Sequence, residues 1–339
     1  MKTKDFYFDL PEELIAQYPP DVRGNSNLLV LDRHNDSLTD THIQNIGDYL
    51  EPGSLLVFNN TKVRKARICA YRKDTGGKQE FLLLEQLNTT TWKVLVKKAK
   101  KAVPGRKYLF PEKITGSITD TEESFRIIEF DTQITDAYLN KHGSIPLPPY
   151  IKRESELTDE DRYQTVFSEK TGSAAAPTAG LHFTNNLIEA LRQKGIEVKF
   201  ITLHVGIGTF LPIRTKKVEE HLMHREVYSV PEETAKAINS AKKDGRPVVA
   251  VGTTSVRTLE SSWNGGKIES GTRETELFIY PGYKFNAVDS MITNFHTPES
   301  SLIVMVSAFA GKERIMKTYN HAIKKRYRFF SYGDAVFIK

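Results

Sequence analysis

The chain of 339 residues contains a single cysteine, Cys69, so no internal disulfide and no cysteine-rich metal site can form. No long hydrophobic run is present. The longest, Leu302 to Ala310, is interrupted by Ser307 and is far too short for a bilayer. The N-terminal residues carry Asp5, Asp9, Glu12 and Glu13 without an apolar core segment, so no secretory signal is expected. No Walker loop appears, and Gly206-Ile-Gly208 meets Leu211 where a dinucleotide fingerprint needs its third glycine. Nucleotide-triphosphate and nicotinamide chemistry are thereby disfavoured. There is no internal repeat and no low-complexity tract. Together these absences predict a cytoplasmic protein without membrane attachment.

What is present is enough apolar material for real cores, at 39 % of residues, on a length that predicts about two domains. The formal net charge of +6 fits a polyanionic partner. From Arg64 to Pro149, six short alternating runs follow one another between turn signals such as Gly76-Gly77 and Pro104-Gly105. That texture predicts a small antiparallel barrel, inserted as residues 64–149 into a mixed α/β domain made of residues 1–63 and 150–339. A loop of this segment holds Lys97, Lys98, Lys100 and Lys101, and Lys324, Lys325 and Arg326 end the last predicted helix. Such runs are commonly just solvated surface, but both clusters are candidates for RNA contact.

The α/β part reads as alternating helices and strands. Thr184 is a candidate N-cap for a helix over 185–194, Pro231 precedes a helix over 232–243, and a further helix is expected from Ser255. Gly172 to Thr184 (GSAAAPTAGLHFT) is poor material for a long helix or strand. Pro177 restricts Ala176, and Gly180 is expected to free the backbone for a tight bend beside a ligand. Thr202 to Phe210 and Val251 to Arg257 repeat this mixture of Gly and Thr after an apolar segment. Three ordinary turns would explain each alone. Three in one half of the chain predict a pocket.

His182 and His204 sit beside these turns, where histidine suits proton transfer near neutral pH, although either can be a satisfied core residue. His221, His224 and Glu226 lack the spacing of a strong metal template, so a structural part for His221 and ligand contact for His224 and Glu226 are expected instead of metal. Ser255 has no nucleophile-elbow frame.

The motifs Leu55-Leu-Val-Phe-Asn-Asn-Thr61, Pro146-Leu-Pro-Pro-Tyr-Ile151, Tyr163-Gln-Thr-Val166, Ala175-Ala-Pro-Thr-Ala-Gly-Leu-His-Phe-Thr184 and Thr202-Leu-His-Val-Gly206 stand in this order. Val251-Gly-Thr-Thr-Ser-Val-Arg257, Thr293-Asn-Phe-His296 and Tyr327-Arg-Phe-Phe-Ser-Tyr-Gly-Asp334 follow. With them the chain resembles, nearly end to end, the S-adenosylmethionine:tRNA ribosyltransferase-isomerases of queuosine biosynthesis. Three positions depart from the family pattern: Asn27 and Lys62 stand for arginines, and Ser144 for a histidine.

The resemblance implies an α/β domain with an inserted barrel. It also implies transfer and rearrangement of the ribosyl part of S-adenosylmethionine onto 7-aminomethyl-7-deazaguanine at the wobble position of tRNA. The product would be epoxyqueuosine-tRNA, with adenine and methionine released and no metal or redox cofactor. The partner would be a tRNA with a GUN-type anticodon, and the protein a monomer. That chemistry needs a base beside the sulfonium, for which His182 or His204 is the expectation, with Asp334 orienting the amine or a ribose hydroxyl. Arg257 and Arg328 are expected to meet phosphate or the methionine carboxylate. Asn60, Thr61, Thr178, Gly180, Gly206, Gly208, Thr253, Thr254, His224, Glu226, Asn294 and His296 complete the expected substrate contacts. A non-catalytic tRNA-binding module and a metal-dependent RNA hydrolase are the alternatives from other classes.

Overall fold

A computed structural model describes residues 1–122, 124–206 and 213–339. Its backbone is a nine-stranded mixed sheet joined to a closed six-stranded antiparallel barrel. In the sheet the strands run, edge to edge, Gly271–Thr275, Glu226–Val230, Glu197–Leu203, Leu55–Asn59, Val248–Val251, Ser290–Asn294, Ala335–Ile338, Asn27–Asp32 and Ser37–His42. The third to sixth of these are mutually parallel. The two central ones, Leu55–Asn59 and Val248–Val251, are buried at every position, as strands covered on both faces must be. In Asn27–Asp32, Leu29 and Leu31 face one buried cluster while Leu28 and Val30 face the other. That division follows from the two-residue period of a strand.

The helices that cover the sheet obey local signals. Thr184 Oγ1 accepts from the Leu187 amide and opens the helix Asn185–Gln193. Pro231 stands before Glu232–Lys243, which begins with two glutamates and ends with two lysines, complementing the helix dipole. Ser300 caps the apolar helix Ser301–Ala310 through the Ile303 amide. The helix expected from Ser255 begins at Thr253, directly after Gly252. The one expected to reach Tyr327 stops at Lys324, because Arg326 turns into the left-handed region at φ 58°. That reversal lets the Tyr327 hydroxyl donate to Asp40.

The barrel strands are Arg67–Arg72, Lys78–Gln86, Thr91–Val96, Lys107–Leu109, Thr115–Glu122 and Phe125–Phe130. Aromatic rings fill the interior: Phe81 meets Tyr108 edge-on at 4.9 Å, and Phe110 meets Phe130 at 5.0 Å. The chain enters and leaves this unit at one point, where Arg67 and Ser144 exchange both backbone hydrogen bonds. Among the described residues, no helix is long and apolar enough to cross a membrane.

One buried clasp ties the segment after the barrel to the C-terminal region. Asp159, almost fully buried, accepts two hydrogen bonds from Arg153 at 2.6 and 2.8 Å, one from the Glu156 amide and one from Tyr332. Burial alone would raise this carboxyl, but its four donors hold it below the ordinary range near 3.8. A depressed pKa lends stability above the unfolded value and loses it as pH falls through the folded one. We therefore expect Asp159→Asn to destabilise the protein by about 1–3 kcal/mol at neutral pH. The deficit, followed by urea denaturation, should shrink only below about pH 4.

Candidate active site

Four of the expected motifs converge because parallel strands end at the same edge of a sheet, where ligands of open α/β sheets characteristically bind. Leu55–Asn59 delivers Asn60 and Thr61, and Glu197–Leu203 delivers His204 and Gly206. Val248–Val251 leads into Gly252, Thr253 and Thr254, and Ser290–Asn294 into His296. The Ala175–Ala179 segment and Phe330–Ser331 close over part of this edge, leaving a cleft lined by Thr178, Thr253, Thr254, Asn294 and His296. Its walls are small or apolar, among them Ala175, Ala176, Val205 and Phe330.

Polar groups at this edge are fixed by hydrogen bonds. Asn294 donates to the Phe330 carbonyl at 3.1 Å and accepts from Thr178 at 2.9 Å, which sets the direction of its amide. The same Nδ2 lies 3.1 Å from Nε2 of His182, which must therefore accept. The imidazole proton is then on Nδ1, donating to Ser26 Oγ at 2.9 Å. Burial, and then the charge of Arg328, push His182 down to about 4. His182 is a neutral strut holding Asn294, with neither nitrogen open to the cleft. His296 is different. Its Nε2 is 3.0 Å from Thr293 Oγ1 and its amide donates to Tyr319, while Nδ1 has no hydrogen-bond partner among the described residues. Burial pushes this ring down to about 3, so it is uncharged at neutral pH.

His204 lies just beyond the cleft lining, its Nδ1 2.8 Å from Thr61 Oγ1. Burial, and then the charge of Arg64, lower its pKa. The ring packs on Gly172, where a Cβ would come within 2.8–3.1 Å of it, and Gly172 has φ +155°. Gly172→Ala is expected to displace His204 from Thr61 and to cost about 1–3 kcal/mol. A shifted His204 imidazole resonance together with a lowered melting temperature would register both effects.

Several expected contacts are turned to structural ends. Gly180 does not take a positive φ. Its bare Cα is pressed on Phe167 and Thr165, each 2.8 Å from where a Cβ would stand, so it serves packing and not ligand approach. Asp334 is buried away from the cleft lining, where the backbone amides of Asn27 and Arg328 and the Asn27 side chain all donate to it. It clasps two distant parts of the chain instead of orienting an amine, and its partner Asn27 is one of the three departures from the family pattern. Asn60 accepts from Thr202 and donates to Glu169. Arg328 donates to the Tyr18 carbonyl. Gly208 lies outside the described residues.

His221 packs edge-on against Phe278, and His224 against Phe125 of the barrel. Glu226, beside them in sequence, points elsewhere: it pairs with Arg257 and accepts from the Gly206 amide at 2.8 Å. Burial pushes the Glu226 carboxyl up, while Arg257 and that amide pull the other way. Among the described residues, no three His, Cys, Asp or Glu side chains are grouped as metal ligands. Lys97 and Lys98 border a groove between the barrel and residues 144–155. Lys100 and Lys101 belong to the short helical turn that follows. Lys324 ends its helix, with Lys325 near Asp40 and Arg326 near Glu13.

Tyr150 and Ser331, whose hydroxyls lie 2.6 Å apart on the cleft wall, were not among the expected site residues. Both stand inside family motifs, Pro-Leu-Pro-Pro-Tyr-Ile and Phe-Ser-Tyr-Gly-Asp, and that was the available signal.

Comparison with known proteins identifies the family. A family model described as queuosine biosynthesis protein matches residues 3–338. Proteins named S-adenosylmethionine:tRNA ribosyltransferase-isomerase from Treponema denticola and Clostridioides difficile are each 50 % identical, over the whole of both chains. One from Caldanaerobacter subterraneus is 51 % identical over the same full extent. The crystal structure of S-adenosylmethionine tRNA ribosyltransferase from Thermotoga maritima is similar at a TM-score of 0.58 and 37 % identity, covering 99 % of this chain and all of that one. The chain belongs to the queuosine biosynthesis protein family.

Proposed function

We propose that the protein transfers the ribosyl moiety of S-adenosylmethionine to 7-aminomethyl-7-deazaguanine at the wobble position of tRNA. The ribosyl group is rearranged to an epoxycyclopentanediol, giving epoxyqueuosine-tRNA and releasing adenine and methionine. The observation that carries this reading is full-length identity of 50 % to proteins named for that activity. The cleft supplies what the chemistry needs: a narrow site of small side chains with a neutral imidazole, His296, and two helix starts nearby. In this reading His296 Nδ1 takes the ribose proton beside the sulfonium, whose charge stabilises the carbanion formed. Thr178, Asn294, Thr253 and Thr254 position the nucleoside, and His182 supports Asn294. The tRNA carries a GUN-type anticodon and is held by Lys97, Lys98, Lys100 and Lys101, with Lys324, Lys325 and Arg326 as a second contact. The protein acts in the cytoplasm as a monomer, with S-adenosylmethionine as substrate and no separate cofactor.

A single-turnover assay with S-adenosylmethionine and tRNA bearing the aminomethyl base tests this. Adenine release matched by a gain in tRNA mass is the expected result. Binding of tRNA without either product overturns the reading in favour of an RNA-binding module.

A further inference from the structure

Behind the cleft, and sharing Thr253, Thr254 and Leu302 with it, lies a second, smaller pocket. The helices Thr253–Ser262 and Ser301–Ala310, each of ten residues, both begin at this pocket. Their first-turn amides have no acceptor within the helix. Three polar side-chain atoms lining it are buried and without a partner: Nη2 of Arg257, Oγ1 of Thr254 and Oγ of Ser301. Arg257 and Ser301 are each only 4 % exposed. Leaving a guanidinium nitrogen and two hydroxyls buried and unbonded is costly, and a bound anion removes that cost for all three together. The rest of the guanidinium is fixed, with Nη1 on Glu226 and Nε on the Leu277 carbonyl at 3.1 Å, so Nη2 is the part left to a ligand.

We infer that this pocket receives the amino-acid end of S-adenosylmethionine, with Arg257 Nη2, Ser301 Oγ and Thr254 Oγ1 binding the α-carboxylate. The inference rests on the activity proposed above and sets the direction in which the substrate lies: nucleoside in the cleft, methionine tail in the pocket behind. Two features favour an amino acid over an RNA phosphate. Glu226 lines the same pocket, where it attracts an α-ammonium and repels a phosphodiester. Met223 and Met305 line it too, apolar neighbours for the methylenes of the tail. An RNA phosphate also carries a sugar on each side, which requires an open groove and not a recess behind a small-molecule cleft.

The test compares S-adenosylmethionine with its decarboxylated analogue, which keeps the sulfonium, the nucleoside and the amine. Wild type, Arg257→Lys and Ser301→Ala are assayed with both. Arg257→Lys keeps a cation beside Glu226, and Ser301→Ala leaves the cap at Ser300 untouched, so Ser301→Ala reports even where the buried pair tolerates no change. In wild type, kcat/KM should favour the carboxylate-bearing substrate by about 10- to 100-fold, the worth of charge-assisted hydrogen bonds. That preference should fall to within about threefold in Arg257→Lys and weaken several-fold in Ser301→Ala, with KM for tRNA unchanged. Full preference retained in both variants overturns the assignment. So does a raised KM for tRNA together with competition by inorganic phosphate, which would mark a phosphodiester pocket. Calorimetry with S-adenosylmethionine alone separates the two levels. A wild type that neither binds nor consumes it removes the activity and the subsite together, whereas normal turnover with unaltered preference removes the subsite only.

Discussion

His296→Ala should lower the single-turnover rate of adenine release by about 10²- to 10⁴-fold, the range for loss of a positioned general base. Of the three histidines near the strand ends, His296 alone lines the cleft, and its Nδ1 has no hydrogen-bond partner among the described residues. In the tautomer with its proton on Nε2, donated to Thr293, the Nδ1 lone pair is available for the substrate. The low pKa near 3 has two opposed consequences. It keeps the ring unprotonated at every physiological pH, and it makes the ring a weak base. The sulfonium offsets the second effect by acidifying the adjacent ribose C–H. The rate should therefore show no acid limb from this residue between about pH 5 and 8, where an ordinary histidine would titrate. His296→Gln, which keeps polarity without basicity, should be as slow as the alanine variant, while S-adenosylmethionine binding by calorimetry changes only a few-fold. Equal loss of binding and rate would assign His296 to binding alone. His182→Ala should act differently, through a misplaced Asn294 and with lowered thermal stability.

The largest expected effect on stability comes from Glu260. This side chain leaves the helix Thr253–Ser262 near its last turn, and its buried carboxylate accepts from the amides of Asn286, Ala287 and Val288 and from the Tyr283 hydroxyl. Glu260→Ala leaves those donors without a protein acceptor inside the fold. Allowing for water entering the space, the cost is about 3–5 kcal/mol, seen as a lower guanidinium midpoint. The same helix presents Thr253 and Thr254 to the cleft at its other end. The variant should consequently bind S-adenosylmethionine more weakly although it touches no substrate. An unaltered midpoint would mean that the loop 286–288 finds other acceptors.

The sequence was most informative where neighbours in the chain decide the outcome. Thr184 as a cap, Pro231 before its helix and the alternating runs of the barrel all rest on contacts within a few residues, and each is present. The helix Glu232–Lys243 spans the residues expected for it. Contacts between distant residues were not legible. Asn27 and Asp334 are 307 positions apart, so the motif containing Asp334 announced its importance without showing that a strand end would occupy it. His182 looked catalytic because of its glycine- and alanine-rich neighbours, and only Ser26 and Asn294, 156 and 112 positions away, make it a strut. Gly180 carried the same ambiguity: a missing side chain reads alike for a bend, a ligand and an aromatic neighbour.

The strand Ala335–Ile338 lies inside the large sheet, parallel to Asn27–Asp32 on one side and antiparallel to Ser290–Asn294 on the other. Translation produces it some 300 residues after the partner it completes. Until residue 338 clears the ribosome, Leu28 to Leu31 have no parallel neighbour, and an apolar strand with an open edge is a template for pairing with other nascent chains. Yield during expression should then depend on whatever shelters that edge while the chain is being made, such as a holdase, a lower temperature or slower initiation.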